Sequence, residues 1–270
     1  MTFRQLHERG CFVMPNPWDA GTAIALAAMG FPALATTSAG FAFARGRPDT
    51  PTALGVDTVL GNIAEIVDAV DVPVNADFQA GYADDLAGLA DNVAGCVATG
   101  VAGLSIEDAV GDRADPLLSL PEAVERVRVA RSAIDESGAD VLLTARAECF
   151  LYGRTDLGEA IARLQAFADA GADVLYAPGV RSREDIAALV GALRPYPVNV
   201  LMGSDTGLTV SDLAELGVRR ISVGSALSRM AWGAFLSAAR QIADAGRFDA
   251  LAKAARFDEL NALFEPPQNR

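Results

Sequence analysis

The sequence predicts an α/β protein of the (β/α)8 barrel class, a single barrel domain over residues 1–270 with extra C-terminal helices from about residue 226. Three observations predict it. First, a helical stretch ending in Ala/Gly runs into a short apolar segment in "AIALAAMGFPALATT", "CVATGVAGLSIED", "FADAGADVLYAPG" and "LAELGVRRISVG". One αβ unit repeated in this way points to a single layered architecture. Second, eight apolar runs fit between residues 12 and 223, the strand count of a barrel. Third, polar residues collect at the far ends of those runs, where such barrels carry their sites.

The elements follow in order. Strands are expected near 12–15, 33–37, 73–78, 103–107, 140–146, 173–177, 198–202 and 219–223. Their near-continuous apolar character suits parallel strands buried on both faces. Gly30, Gly100, Gly171 and Gly217 sit where a left-handed helix C-cap belongs. In "PEAVERVRVARSAIDESG" Pro121 marks a helix start, and Asp156 is placed to cap "LGEAIARLQAFADAG". A doubly wound open sheet is the competing architecture, but no GxGxxG follows the first strand. The C-terminal "EPPQNR" reads as a frayed tail.

Composition narrows the function. Hydrophobic residues make up 51% and charged residues 21%, enough apolar side chain for a large core. The formal charge of −13 argues against nucleic acid or an anionic membrane surface as a partner. Cys11, Cys96 and Cys149 form no CxxC and fit a reduced, cytoplasmic setting. The opening "TFRQLHERG" lacks the apolar core of a signal peptide, and no apolar run is long enough to cross a membrane. Lys253 is the only lysine, which excludes P-loop and Schiff-base chemistry in the body of the fold.

Reading the strand ends gives Asn16, Trp18 and Asp19 after strand 1, and Thr37, Ser38, Ala39 and Gly40 after strand 2. Asp77 and Gln79 follow from "VNADFQAGY", Glu107 and Asp108 from "LSIED", and Arg146 and Glu148 from "LLTARAE". Asp77 and Glu107 would be like charges at one end of adjacent strands, and an oxygen-liganded cation would relieve their repulsion. Magnesium suits best, because it needs one or two carboxylates and keeps several waters. Arg146 would offer a fixed fork to a substrate carboxylate, with Ser38 and nearby backbone N–H groups holding the same anion. Each residue also has a structural reading. Asp77 and Ser38 can serve a turn, Glu107 and Arg146 can form a cross-strand ion pair, and Trp18 can pack. The agreement of five strand ends favours a site.

These motifs resemble the isocitrate lyase/phosphoenolpyruvate mutase superfamily. The likeness runs through "MPNPWDAGTA", "TSAGFAFARGRPD", "VNADFQAGYADD", "GLSIEDAVGDR", "TARAECFLYGR", "GADVLYAPGV" and "ELGVRRISVGSALSRMA", covering most of the chain in order. The resemblance implies a phosphoenolpyruvate/pyruvate-type barrel that holds Mg2+, or Mn2+ in its place, and acts on a 2-oxo acid or enolpyruvate. It matches Asp77 to the main metal-binding aspartate, and Gln79 to a second acidic position that acts through metal-bound water. Glu107 matches the metal-associated glutamate, and Arg146 the arginine that holds substrate. Ser38, Ala39 and Gly40 fall in the carboxylate-binding loop, with Trp18 nearby, and Asp49 of "GRPD" falls in the loop that closes on substrate. It further implies a homotetramer whose last helices are exchanged between subunits, although they can equally pack on their own barrel.

Two departures from the pattern matter. Gln79 replaces a carboxylate, making the metal shell less negative. The Lys-Lys-Cys-Gly-His loop of isocitrate and methylisocitrate lyases is absent from "EDAVGDRADPLLSLPE", and the only histidine, His7, precedes strand 1. Thiol-assisted cleavage of those substrates is therefore not expected. The expectation is a Mg2+-dependent lyase that breaks a C–C bond in a small 2-oxo or 2-hydroxy carboxylate through a pyruvate-like enolate, with oxaloacetate decarboxylation favoured. A phosphonopyruvate or phosphoenolpyruvate phosphonomutase-type enzyme, or an inactive anion-binding barrel, is the alternative. Tyr82, Asp49, Glu148 and metal-bound water are all candidates for the proton donor.

Overall fold

In the computed structural model, residues 1–110 and 116–265 are described. The "EPPQNR" tail beyond Glu265 and residues 111–115, which include the end of "EDAVGDR", lie outside them. Eight parallel strands are present: β1 (Phe12–Met14), β2 (Leu34–Ala35), β3 (Val74–Asp77), β4 (Gly103–Glu107), β5 (Leu142–Arg146), β6 (Val174–Tyr176), β7 (Val198–Leu201) and β8 (Arg220–Ser222). Each falls inside the run expected for it. Every consecutive pair from β2 to β8 is laddered, and β8 returns to β1.

The remaining seam, between β1 and β2, is closed differently. Pro15 and Pro17 have no N–H to give to a ladder. The Pro15 carbonyl accepts from the Ala35 N–H at 3.0 Å instead. The Asn16 amide donates to the Thr36 carbonyl at 2.9 Å, and its Oδ1 accepts from the N–H groups of Val223 (3.0 Å) and Gly224 (2.8 Å). Asn16, expected among the site residues, thus ties together the ends of β1, β2 and β8.

Helices connect the strands: α1 (Phe3–Glu8), α2 (Ala20–Ala28), α3 (Ser38–Ala44), α4 (Val56–Asp68), α5 (Leu86–Ala98), α6 (Leu120–Ser137), α7 (Leu157–Asp169), α8 (Arg183–Ala192), α9 (Val210–Glu215), α10 (Ala226–Ala245) and α11 (Phe257–Phe264). Gly30, Gly100, Gly171 and Gly217 all take positive φ just past helix ends, as expected. Asp156 caps α7, while α6 begins at Leu120 under a Ser119–Glu122 capping box, so Pro121 takes its second position. Asp19, another strand-end candidate, caps α2 in a box with Thr22.

The main core lies between the barrel's outer face and the helices, with Phe78, Leu104, Leu143, Phe167 and Ile186 almost wholly buried. A second cluster fills the barrel's N-terminal end, where Phe3 of α1 packs on Phe12, Leu142 and Val174. His7 completes this plug, with its ring edge-on to Phe3 (4.7 Å) and Phe12 (5.1 Å) and Nδ1 2.8 Å from the Phe3 carbonyl. Burial, with the nearby Arg220 charge, pushes His7 down to about 3. The folded protein therefore holds His7 neutral while the unfolded chain protonates it below about pH 6.5. The stability from neutral burial is present above that pH and is lost as pH falls toward 3. By pH 5 the loss attributable to His7 is about 2 kcal/mol. Urea titrations at pH 7 and pH 5 of wild type and His7→Gln measure it. The variant should lack that part of the decline, and parallel declines in the two proteins would refute the account.

Candidate active site

Along a strand, alternate side chains point inward, and the last inward residue of each strand reaches the C-terminal mouth. On β3, β4 and β5 these are Asp77, Glu107 and Arg146, and the ladder sets Glu107 beside Arg146. Arg146 is the hub. Its Nη1 lies 2.6 Å from Asp77 Oδ1, Nη2 3.0 Å from Glu107 Oε2, and Nε 2.8 Å from Glu148 Oε1. Its guanidinium also stands 5.3 Å from the Tyr176 ring centroid. Burial pulls Arg146 down, but three carboxylates outweigh it and hold the guanidinium well above its ordinary range. Burial raises Glu107 well above the usual carboxylate range, eased by Arg146 and reinforced by Glu148, Asp77 and Asp49. Glu148 is raised by burial too, against the pull of Arg146.

The strand-2 loop turns toward the same point. The Ser38 N–H and hydroxyl both donate to Asp77 Oδ2 at 2.9 Å, and Thr36 Oγ1 accepts from the Asp77 N–H at 2.9 Å. The Gly40 N–H is taken by Thr37 Oγ1 at 3.2 Å. A Cβ at Gly40 would lie 2.6 Å from Thr37 Cγ2, so the residue is held small by contact. Of the three loop residues expected to bind substrate, Ser38 and Ala39 line the cavity, and Gly40 is buried behind them.

The "VNADFQAGY" turn bends sharply. Gln79 and Tyr82 adopt φ of 44° and 53°, a region L-residues seldom enter, and such strain concentrates at functional loops. The bend carries the Gln79 amide to Asp49, 3.2 Å from Nε2 to Oδ1. Asp49 is at the exposed rim and is raised by loss of solvent on its inner side and by Asp77.

Among the described residues no three His, Cys, Asp or Glu side chains cluster as metal ligands. Two features of the donor set nevertheless fit a divalent cation beside Asp77. Gln79 Oε1 is buried without a hydrogen-bond partner, leaving an oxygen lone pair unused. Asp77, Glu107 and Glu148 also share one arginine, so the carboxylates outnumber the nearby cation. Asp77, Glu107 and Gln79 are the residues that would hold such an ion, directly or through water.

The mouth opens into a cavity of about 140 Å3, lined among others by Ser38, Asp49, Asp77, Arg146, Tyr176, Asn199, Arg220 and Ser222. Trp18, expected at the substrate, lies elsewhere. It lines a separate apolar groove with Ala44, Ser228, Ala231, Trp232 and Phe235. Asp108 points away from the mouth, pairing with Arg163 at 3.0 Å and accepting from the Glu148 N–H at 2.8 Å, so it positions the strand-5 end. Tyr176, Asn199, Arg220 and Ser222 were not anticipated as cavity residues. The available signal was the period of two: in "VRRISVG" one of the adjacent arginines has to face inward.

A family model described as phosphoenolpyruvate phosphomutase matches residues 3–243. A solved structure from Burkholderia cenocepacia J2315, named only as a lyase or mutase, superposes with a TM-score of 0.93 at 46% identity, covering 98% of this chain and 95% of that one. The structure of an oxaloacetate acetylhydrolase in complex with the product oxalate superposes with a TM-score of 0.86 at 28% identity, covering 97% and 92%. An uncharacterized protein of Mycobacterium tuberculosis (strain ATCC 25618 / H37Rv) is 34% identical over 274 residues, covering 100% of this chain and 98% of its own length. The chain belongs to the phosphoenolpyruvate phosphomutase family, within the PEP mutase/isocitrate lyase superfamily.

Proposed function

We propose that the protein is a Mg2+-dependent lyase that cleaves a C–C bond in a small 2-oxo or 2-hydroxy carboxylate, with oxaloacetate the favoured substrate. The observation that carries the proposal is Arg146, held rigidly by three carboxylates at the mouth of a cavity sized for a small acid. A guanidinium fixed in this way loses little freedom when it donates to a substrate carboxylate or to the enolate that forms. Its pairing with Asp77 would loosen on binding, as Asp77 turns to the cation. A bound divalent ion would supply the electrophile for the developing enolate oxygen.

The chain's own groups divide the remaining work. The Ala39 N–H has no acceptor among the described residues and is available to the substrate carboxylate. Tyr176, 8% exposed, forms an apolar face under Arg146 and keeps water away from the reacting end. Asp49 on the "GRPD" loop reaches the site through Gln79 and is placed to report closure of that loop. The relative named as an oxaloacetate acetylhydrolase supports the choice of substrate class, since oxaloacetate is a small 2-oxo dicarboxylate. Phosphorus–carbon chemistry is the second reading, favoured by the description of the matching family.

Calorimetric titration with oxalate, with and without Mg2+, tests the site. Wild type should bind only with the metal, and Asp77→Ala should weaken binding by at least about tenfold. Metal-independent binding, or an unchanged Asp77→Ala, would remove the metal site from Asp77. In a substrate panel, oxaloacetate should turn over faster than phosphonopyruvate, and Arg146→Lys should lower kcat/KM by about 10²–10³. Faster turnover of phosphonopyruvate would favour the second reading.

The assembly proposed is a homotetramer formed through α10. That helix has Ser228 as its only buried residue among those described and exposes Met230, Trp232, Phe235 and Leu236 in an apolar run, while α11 returns to α2. Light scattering should give a tetramer mass for wild type and a smaller species for Phe235→Asp. A monomeric wild type would end this proposal.

A further inference from the structure

The cavity floor holds a cation that the chemistry above leaves unused. Arg220 is 2% exposed and sits on β8 two residues before Ser222, with both lining the cavity. A guanidinium this deep ordinarily faces a carboxylate, because an unpaired buried ion is strongly disfavoured. Among the described residues Arg220 makes no salt bridge, and Asp77, Glu107, Glu148 and Asp49 all gather at the opposite, outer end.

Neutral groups hold Arg220 in place. Its Nε donates to Asn199 Oδ1 at 2.8 Å and Nη2 to Thr144 Oγ1 at 3.1 Å, and Nη1 meets His7 Nε2 at 3.5 Å. His7 Nδ1 is committed to the Phe3 carbonyl, which leaves Nε2 as the acceptor. Three of the five guanidinium N–H groups are thus engaged, and two have no acceptor among the described residues. Burial pulls Arg220 down to about 9, which still leaves it charged at neutral pH. The cavity is therefore bipolar, with an acidic mouth fit for a cation and a cationic floor fit for an anion.

We propose that Arg220, oriented by Asn199 and Thr144, is a second anion-recognition subsite that takes the distal carboxylate of a dicarboxylate substrate. The proposal rests on the reading of the mouth as the enolate site. A substrate whose 2-oxo or 2-hydroxy acid end lies at Arg146 points its other end down the barrel axis. A monocarboxylate would leave the Arg220 charge unanswered, so the floor selects for a second negative group.

Calorimetry in the presence of Mg2+ tests this with oxalate and two matched pairs of acids. Oxalate reads the mouth alone. Malate against 2-hydroxybutyrate and 2-oxoglutarate against 2-oxovalerate read the second carboxylate at two chain lengths. In wild type the dicarboxylate of at least one pair should bind about tenfold tighter or more, since an unmatched buried charge discriminates strongly. Arg220→Gln should bring that ratio close to one while oxalate affinity stays within about twofold. Equal binding within both pairs, with oxalate bound, overturns the subsite and leaves the mouth standing. A preference that survives Arg220→Gln also overturns it. Absence of oxalate binding in wild type overturns the enolate site and the subsite together. Should Arg220→Gln fail to fold, Arg220→Lys keeps the charge but loses the planar fork. A ratio reduced in that variant supports the subsite, and an unchanged one overturns it.

Discussion

The Arg146 ion cluster is the interaction on which the arrangement of the mouth depends. One guanidinium meets carboxylates from β3, β4 and the strand-5 end, so three neighbouring elements are held at a common height. Such a pairing is weak evidence for stability, because each ion surrenders its water. Its value is in position. The guanidinium fork allows few geometries, and Asp77 is fixed independently by Ser38 and Thr36. Behind the cluster, the buried Asp108–Arg163 pair anchors the Glu148 N–H, so the third carboxylate is also set by the scaffold. A site built this way reorganises little when a charged ligand arrives.

The barrel's interior departs from the usual filling of branched apolar side chains. Apolar packing is densest in the N-terminal plug of Phe3, Phe12, Leu142 and Val174. Above it lies a polar layer of Arg220, Asn199, Thr144 and Ser222, and above that the carboxylate mouth. The plug supports the layer directly, since α1 brings His7 to Arg220. A neutral His7 can accept from the guanidinium, whereas a protonated one would oppose it, so the Arg220 charge adds to burial in keeping His7 neutral.

The fold was legible because its signals are local and repeated: glycine C-caps, buried strands and helix caps recur unit by unit. The mouth was legible for a similar reason, since Asp77, Glu107 and Arg146 each end an apolar run. What could not be read was which polar groups serve the scaffold. Asn16 and Asp19 also end a run, yet Asn16 closes the β1–β2 seam as well as lining the cavity, and Asp19 caps a helix. Trp18 follows the same strand, but its side chain lies in the groove beneath α10. Arg220, at a strand's beginning, was invisible to a search of strand ends. Its surroundings emerge only when inward residues of β5, β7 and β8 and His7 of α1 are superposed on one axis.

Gln79, where the resemblance expects an acidic residue, takes on a different meaning once the acidic groups of the mouth are taken together. Four carboxylates, Asp49, Asp77, Glu107 and Glu148, gather at the mouth around Arg146 alone, while Arg220 stands at the opposite end of the cavity. The mouth therefore already holds more acidic groups than cations. A carboxylate at position 79 would add another acidic group to a site where burial already raises Glu107 and Glu148. Gln79 instead supplies a neutral oxygen and an N–H donor to Asp49. The amide thus offers the mouth a further oxygen without adding a charge to a site already crowded with carboxylates.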